Sequence, residues 1–410
     1  MIALLADADF RRVWLVGAIA GGLRWLELLA IGVYVLAHTG SPSMVAFITA
    51  LRLAPMFVCG PLIGAIGDRY ERSQVLLIGL AIAAAASIVL GALAFTGNIT
   101  LWQIALGTVV SGGFSAADMT LRRIMSAEIA GTLRLGQAMA LDSMNNHATR
   151  MLGPALGGLL LQTLGLYGVY LLGGLLYLVG IVLLLRIRYR PQGFGSDRGA
   201  ILSALGEGWR YVRARRLIVG VLMVTTVANF WGFAYITMVP VIGERVLGLA
   251  AFPIGAILSV QGFGALIGAL VIGKAGAPRN YTRIYLASTA VFLLGVLGFG
   301  LSTWFPLSLL LNLICGVSIG GFSVLQSSIL ILAARPELRS RVMGVLAVAI
   351  GAGQVGGMLH VGLLADWLGA AAAVQLMAAE GLLALAATAL LWPEMRRATD
   401  LARGAAAADD

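Results

Sequence analysis

Long apolar stretches separated by short polar turns run through almost the whole chain. A helix needs about 20 apolar residues to cross roughly 30 Å of hydrocarbon, and most of these stretches have about that length. They predict an all-α membrane protein with twelve transmembrane helices, at residues 13–37, 43–67, 74–96, 99–121, 137–163, 165–187, 217–242, 251–273, 283–303, 305–331, 341–364 and 370–392.

The longest polar segment, residues 188–216, divides the predicted helices into two sets of six. Residues 1–187 are predicted to form an N-terminal six-helix bundle and residues 217–392 a C-terminal one. Part of the segment between them, from Gly199 to Arg216, is suited to an amphipathic helix on the membrane surface. Residues 393–410 form a polar tail.

A weak internal repeat relates the two sets of helices. The stretch from Gly60 to Ile66 pairs with the stretch from Gly264 to Leu270, at an offset of about 204 residues, and repeats of this kind are typical of transporters. Because six helices are an even number, the repeat predicts two pseudo-symmetric bundles that run in the same direction.

Composition agrees with this pattern, since 60% of the residues are hydrophobic and 11% are charged. The net charge of +10 does not predict a nucleic-acid partner, because the basic residues form small groups between apolar runs. Except for Arg24, Arg52, Arg150 and Arg245, the basic residues fall in polar segments that would all lie on the same side of the membrane. The positive-inside rule therefore predicts a multi-pass protein of the cell (inner) membrane with both termini cytoplasmic.

Metal and cofactor chemistry is not predicted. The two cysteines lie in apolar stretches and the three histidines are far apart in sequence. The first apolar run is followed by another span without a small-residue cleavage site, so it predicts a retained helix and not a signal peptide.

The most specific motif follows the second predicted helix, where the chain reads Gly64-Ala65-Ile66-Gly67-Asp68-Arg69-Tyr70-Glu71-Arg72. It resembles the loop between helices 2 and 3 of the major facilitator superfamily. The resemblance implies the major facilitator fold and a cytoplasmic gate loop containing Gly64, Asp68, Arg69 and Arg72, which Asp118 is expected to join. A generic positive-inside loop is the alternative.

The fifth predicted helix contains Gly153-Pro154-Ala155-Leu156-Gly157-Gly158. This stretch resembles the proline-glycine motif of exporter branches in the same superfamily. Its physical content is close packing and a kink, carried by Gly153, Pro154, Gly157 and Gly158. Ordinary packing without directional meaning is the alternative.

Wider similarity, including Phe10-Arg11-Arg12-Val13-Trp14, Leu135-Gly136-Gln137-Ala138 and the stretch from Pro336 to Gly344, is to the enterobactin-exporter-like and macrolide-efflux-like group. That resemblance implies a proton-coupled exporter. Thr108 stands near the place where many drug/proton antiporters have an arginine in the fourth helix, so the proton route of those relatives does not transfer directly.

Charged residues inside the predicted helices are candidates for a transport pathway, because ionisable groups are costly in hydrocarbon. Arg24 and Glu27 are three residues apart in the first helix, and Asp142, Asn146 and Arg150 recur at a spacing of four in the fifth. We predict that these two groups converge. Glu27 is the candidate proton-coupling residue, and a permanent ion pair with Arg24 or Arg150 is the alternative.

Three roles stay open at this level. Arg150 could instead attract an anionic group of the substrate, and Asp142 could belong to a cytoplasmic gate. Arg52 could line an outer cavity or pack against the first helix, and Glu380 has no evident partner.

In the second half, polar but uncharged side chains predict a substrate cavity that forms hydrogen bonds. They are Asn229, Gln261, Gln326 and Gln354, with Trp231 as an aromatic wall. Contacts between helices are the alternative for each of them.

Together these features predict a secondary active transporter and not an enzyme. The predicted activity is proton-coupled export, by alternating access, of a small, partly hydrophobic molecule such as a drug, a siderophore or a secondary metabolite. Its predicted partners are that substrate, protons and the bilayer, and we expect a monomer. An importer or lysolipid flippase of the same fold is one alternative, and a non-transporting membrane sensor or scaffold is another.

Overall fold

The computed structural model describes residues 2–67, 70–188, 209–275, 280–335 and 338–396, which are helical and contain no strand. We number twelve long helical segments in chain order. The first six are α1 (Ala8–Thr39), α2 (Pro42–Gly67), α3 (Arg72–Phe95), α4 (Leu101–Ala130), α5 (135–164) and α6 (166–185). The others are α7 (Arg216–Arg245), α8 (Ala251–Ala275), α9 (Tyr281–Leu301), α10 (Phe305–Ala333), α11 (Arg339–Leu368) and α12 (Ala370–Leu391).

The predicted all-helical membrane fold is confirmed. Ten of the described helices are long and apolar enough to cross a membrane. One of them, Leu135–Leu185, is a continuous 51-residue run that comprises α5 and α6, and α2 is apolar over Pro42–Pro55. That all twelve segments cross the bilayer stays a prediction.

Helix ends follow the local sequence. The carboxylate of Asp7 caps α1 by accepting hydrogen bonds from the backbone of Asp9 and Phe10, and Gly40 ends that helix at φ 63°. Gly165 separates α5 from α6 because its φ of 69° and ψ of −173° are not helical. The predicted turn between the fifth and sixth helices therefore lies at this glycine.

Contacts divide the chain into two compact units. Unit 1 is Met1–Arg198 with Gly248–Ser259, and unit 2 is Gly199–Leu247 with Val260–Asp410. Unit 1 therefore contains α1 to α6 and the start of α8, and unit 2 contains α7, the rest of α8 and α9 to α12. Of the predicted amphipathic segment, residues 209–213 are helical and 199–208 lie outside the described residues, as do residues 397–410 of the tail.

Corresponding glycines mark close helix crossings in both units. Gly112 of α4 lies against the carbonyl of Arg52 in α2, and Gly316 of α10 lies against the carbonyl of Gln261 in α8. A Cβ at either glycine would collide with that backbone oxygen. The two glycines are separated by about 204 residues, the offset of the sequence repeat, so equivalent helix pairs cross in both bundles.

The exterior of each unit is apolar. α3 exposes Ile78, Ile82 and Val89, and α12 exposes Leu383 and Leu390. Large exposed apolar patches are unfavourable in water and are stable against acyl chains.

Candidate functional site

A buried ion pair lies at the centre of unit 1. Nη2 of Arg52 donates to Oε2 of Glu27 at 3.1 Å, and the hydroxyl of Ser111 in α4 donates to the same oxygen at 2.8 Å. Glu27 is 2% exposed and Arg52 4% exposed. The pair therefore joins α1, α2 and α4 in a dry environment.

Arg24 and Arg150 are not the partners of Glu27 in an ion pair, which corrects the sequence-based alternative. Nη1 of Arg24 lies 3.2 Å from the sulfur of Met119, and the guanidinium of Arg150 lies 5.1 Å from the centre of the Trp25 ring. The reason is depth. Glu27 and Arg52 are almost equally far along the chain from the turn at Gly40, so the α1–α2 hairpin brings them to the same level.

A small cavity of about 10 Å³ adjoins this pair inside unit 1. Its polar lining consists of the Glu27 carboxylate and hydroxyl-bearing side chains from α3, α4 and α6, namely Ser87, Thr108, Ser111 and Tyr170. Among the described residues, Oε1 of Glu27 and the hydroxyl of Tyr170 have no hydrogen-bond partner, although both are buried. Glu27 thus has one oxygen bonded to Arg52 and Ser111 and one oxygen without a hydrogen-bond partner among the described residues.

A second charged cluster joins α4 to α5. Arg122 donates to Asp118 at 3.0 Å and to Asp142 at 2.6 Å, and Arg123 donates to Asp142 at 3.1 Å. Residues Asp118–Arg122 form a π-helical turn, an irregularity that is frequent at functional sites. Arg122 was not a predicted site residue, although its spacing of four from Asp118 was a usable signal.

The gate loop is described only in part. Arg72 forms an ion pair with Glu128 of α4. Asp68 and Arg69 lie outside the described residues, and Gly64 belongs to the part of α2 whose surroundings are not described. The described partner of Asp118 is Arg122, and its predicted place in the loop stays a prediction.

The residues of the polar stripe predicted on α5 differ in burial. Asp142 is buried in the α4–α5 cluster, but Asn146 is exposed and Arg150 is only half-buried. The neighbouring Asn145 is buried instead and donates to the backbone carbonyl of Trp14 in α1 at 3.1 Å. Convergence of Asn146 with Glu27 stays a prediction, and Asn145 is the residue seen to contact α1.

The glycine-proline stretch of α5 lies at two close helix contacts. A Cβ at Gly153 would lie 2.6 Å from the Cβ of Trp25, and one at Gly157 would collide with the carbonyl oxygen of Leu26. Gly158 and Pro154 similarly lie against the start of α8, which belongs to unit 1. The structure therefore shows that this motif packs closely against neighbouring helices.

Along α4, unit 1 also has a wider cleft of about 500 Å³. Its lining is mostly apolar, with one guanidinium, and consists of Ala116, Met119, Thr120, Arg123, Ile124, Ala127 and Met139. This volume is typical of sites for small organic molecules. The sequence did not indicate the cleft, because its lining residues are individually ordinary in a transmembrane helix.

In unit 2, the predicted polar residues surround an irregular part of α7. Residues Ala228–Gly232 are π-helical and Phe233–Met238 are 3₁₀-helical. Gln354 of α11 donates to Asn229 at 3.0 Å, and the indole of Trp231 donates to Glu380 of α12 at 3.0 Å. Glu380, which had no evident partner in the sequence, thus bonds Trp231 and lies 3.9 Å from His360.

The remaining predicted amides of unit 2 form contacts between helices. Gln261 of α8 donates to the hydroxyl of Tyr235, which donates to Asn312 of α10 at 2.8 Å. Gln326 of α10 donates to Thr225 of α7 at 2.8 Å. Gln261 and Gln326 are buried, so their observed role is the alternative one, whereas Gln354 and Trp231 are partly exposed.

Comparisons with known proteins agree on one family. Residues 1–406 match the family described as transmembrane secretion effector. The multidrug efflux pump Tap of Mycolicibacterium fortuitum is 28% identical over 85% of this chain and 87% of its own length. The enterobactin exporter EntS of Shigella flexneri is 27% identical over 85% of this chain and 84% of its own.

A solved structure of an auto-inhibited peptide transporter of the POT family gives a TM-score of 0.77. The alignment covers 93% of this chain and 96% of that one, at 12% identity. At this identity the likeness shows the fold alone, and that fold is the one the sequence predicted.

Proposed function

Because the chain belongs to the transmembrane secretion effector family of major facilitator transporters, we propose that it is a proton-coupled exporter of a small, partly hydrophobic organic molecule. Family membership makes it a multi-pass membrane transporter and not an enzyme. Export and the cargo class are the proposal, and they draw on a drug efflux pump and a siderophore exporter among the relatives. A drug, a siderophore or a secondary metabolite fits this class.

The observation that carries the proposal is the buried carboxylate of Glu27. An ionisable group at this depth is costly and is retained where it has a function. Its partner Arg52 compensates the charge, so the pair can hold Glu27 ionised in one state of the transport cycle and release it to protonation in another. Glu27 is the proposed proton carrier, and Arg52 is the residue proposed to tune its protonation.

The cleft along α4 supports the cargo class. Methionine and aliphatic side chains adapt to varied apolar surfaces, and Arg123 and Thr120 supply hydrogen-bond donors at the same wall. A molecule with an apolar body and one or two acceptors would be complementary to this lining. Within unit 2, Trp231 and Gln354 stay the proposed substrate-cavity residues.

The α4–α5 cluster is the proposed gate of unit 1. Asp142 accepts from two arginines of α4, so a change in its contacts would loosen one end of the bundle while α1 stays packed on α5. In the proposed orientation this end is cytoplasmic, both termini are cytoplasmic, and the protein resides in the inner membrane as a monomer.

Transport into proteoliposomes with an imposed pH gradient tests the proposal, with the fluorescent drug tetracycline, which carries carbonyl acceptors on a polycyclic body, as the probe. We expect proton-driven tetracycline movement by the wild type and its loss in Glu27→Gln. Glu244→Gln is the matched control, because Glu244 is an exposed carboxylate at the end of α7. Unchanged proton-driven movement in Glu27→Gln would remove Glu27 from the mechanism.

Reversal of the gradient separates export from import. Tetracycline that moves against the proton flux indicates antiport, and tetracycline that moves with it indicates symport and import. A sensor or scaffold would show no flux in either direction.

A further inference from the structure

The two oxygens of the Glu27 carboxylate have different environments. Oε2 accepts one hydrogen bond from Arg52 and one from Ser111. Oε1 accepts none from the described residues, and Glu27, Tyr170 and Ser87 all line the small cavity. A Cβ built on Gly173 would lie 3.5 Å from the Ser87 hydroxyl and 3.6 Å from Oε1, so both groups lie beside Gly173.

The cavity matches a single water molecule. Its volume of about 10 Å³ is near the lower limit for one water, and a buried water needs two to four polar partners. Oε1 and the hydroxyls of Ser87 and Tyr170 supply three. A bound divalent metal cation fits less well, because Ca²⁺ and Mg²⁺ take about six or more oxygen ligands and these groups supply three.

Charged and titratable groups around Glu27 are few. Arg52 faces it from α2, Tyr170 and Tyr177 from α6, and Arg24 lies one turn away on its own helix. α3 and α4 contribute hydroxyls at the cavity, from Ser87, Thr108 and Ser111. Of these groups, Tyr170 lines the cavity and has a hydroxyl without a hydrogen-bond partner among the described residues.

We propose that the cavity between Glu27 and Tyr170 holds one ordered water, positioned by the Tyr170 hydroxyl, through which Glu27 exchanges its proton on Oε1. This deepens the proposed function and rests on Glu27 as the proton carrier. A proton arrives on this water as hydronium, one of its O–H bonds breaks, and a new O–H bond forms on Oε1. Neutral water is left, and release follows the reverse order.

Protonation on Oε1 keeps the contacts of Oε2. The carbonyl oxygen of the neutral acid still accepts from Arg52 and Ser111, so the ion pair becomes a charged hydrogen bond and α1, α2 and α4 stay joined. Glu27 is therefore both a structural partner of Arg52 and a titrating group. Tyr170 is a positioning residue that acts through the water.

Infrared difference spectra of the purified full-length protein between high and low pH test this without a substrate. Glu27→Gln identifies the carboxyl C=O band of Glu27 by its loss. Ser111→Ala should raise the frequency of that band, because Oε2 loses a donor. Tyr170→Phe should leave the frequency unchanged and move the midpoint pH of the band by about one unit, the equivalent of one hydrogen bond.

Tyr285→Phe is the matched control, since Tyr285 is a buried tyrosine of unit 2 that does not line the cavity. It should leave both the frequency and the midpoint at the wild-type values. If Tyr170→Phe does not fold, Ser87→Ala removes another hydroxyl from the cavity and should shift the midpoint in its place.

Three results would overturn the inference. The first is a raised C=O frequency in Tyr170→Phe with none in Ser111→Ala, which would place the proton on Oε2. The second is a midpoint that Tyr170→Phe and Ser87→Ala leave unchanged. The third is a band that depends on replacing sodium by choline, which would assign a cation to the cavity. Failure of the proposed function is distinct, because Glu27→Gln would then retain proton-driven transport.

Discussion

The ion pair between Glu27 and Arg52 can be weighed by a double-mutant cycle. Its N–O distance is 3.1 Å and both side chains are almost fully buried. At an effective dielectric constant of about 20, the attraction at this distance is about 5 kcal/mol. Desolvation offsets much of it, but removal of one partner leaves the other charge buried without compensation, which costs about 3–5 kcal/mol.

We therefore expect Glu27→Gln and Arg52→Met each to lower the free energy of unfolding by about 3–5 kcal/mol. The double variant leaves no uncompensated charge and should lie within about 2 kcal/mol of the wild type. The measurement is denaturant unfolding of the purified protein in detergent micelles, with tryptophan fluorescence as the signal. The net contribution of the ion pair to the free energy of unfolding would then be much smaller than the destabilisation caused by removing one partner.

A control cycle uses Arg72 and Glu128, whose side chains are 13% and 30% exposed. Solvent screens that pair, so removal of either partner should cost less than about 1 kcal/mol. Additive single effects at Glu27 and Arg52 would refute the reasoning, because additivity means that the two charges do not interact. Equal coupling energies in the two cycles would contradict the role assigned to burial.

Two further predictions concern packing and hydrogen bonding. Gly157→Ala should lower the unfolding temperature, because its Cβ would collide with the backbone of α1 and overpacking costs about 1–3 kcal/mol. Gly22→Ala is the control, because a Cβ there meets nothing within 4 Å, and it should be neutral or stabilising. Glu380→Leu should destabilise the protein by about 1 kcal/mol, since the Trp231 indole loses its acceptor. Glu380→Gln keeps an acceptor oxygen and should not destabilise the protein. Equal unfolding temperatures for Glu380→Leu and Glu380→Gln would show that this hydrogen bond contributes nothing.

Helix positions were largely predictable from the sequence, because hydrocarbon length and helix-ending residues determine them. The first helix was predicted at 13–37 and is Ala8–Thr39, and the fifth and sixth meet at Gly165 as predicted. The additional residues of α1 come from Asp7, a capping residue whose effect apolarity alone does not reveal.

The direction of polar side chains was harder to predict. Successive residues of a helix turn by about 100°, so a spacing of four advances by about 40° per step. Asp142 and Arg150 therefore differ by about 80°, and the buried face of α5 passes through Asn145 and Thr149. A spacing of four alone selects Asn146, whereas a mixed spacing of three and four selects Asn145.

Partner identity needed three-dimensional information. Equal distance from Gly40 places Arg52 at the depth of Glu27, but rotation of α1 and α2 decides whether two residues at one depth meet. The sequence did not indicate a role for Tyr235, because a tyrosine in an apolar helix is usually packed by its ring. Tyr235 forms its hydrogen bonds from the 3₁₀ segment of α7. No sequence motif predicts that segment.

The chemistry of the described residues differs between the two units. Unit 1 buries Glu27, Asp118 and Asp142 with arginines, whereas the buried polar contacts of unit 2 use neutral amides and hydroxyls such as those of Gln326 and Thr225. Neutral amide pairs do not change with pH, so proton sensitivity should originate in unit 1. Transport that still followed the pH gradient after loss of Glu27 would direct attention to Glu380 and His360, a carboxylate–imidazole pair in unit 2.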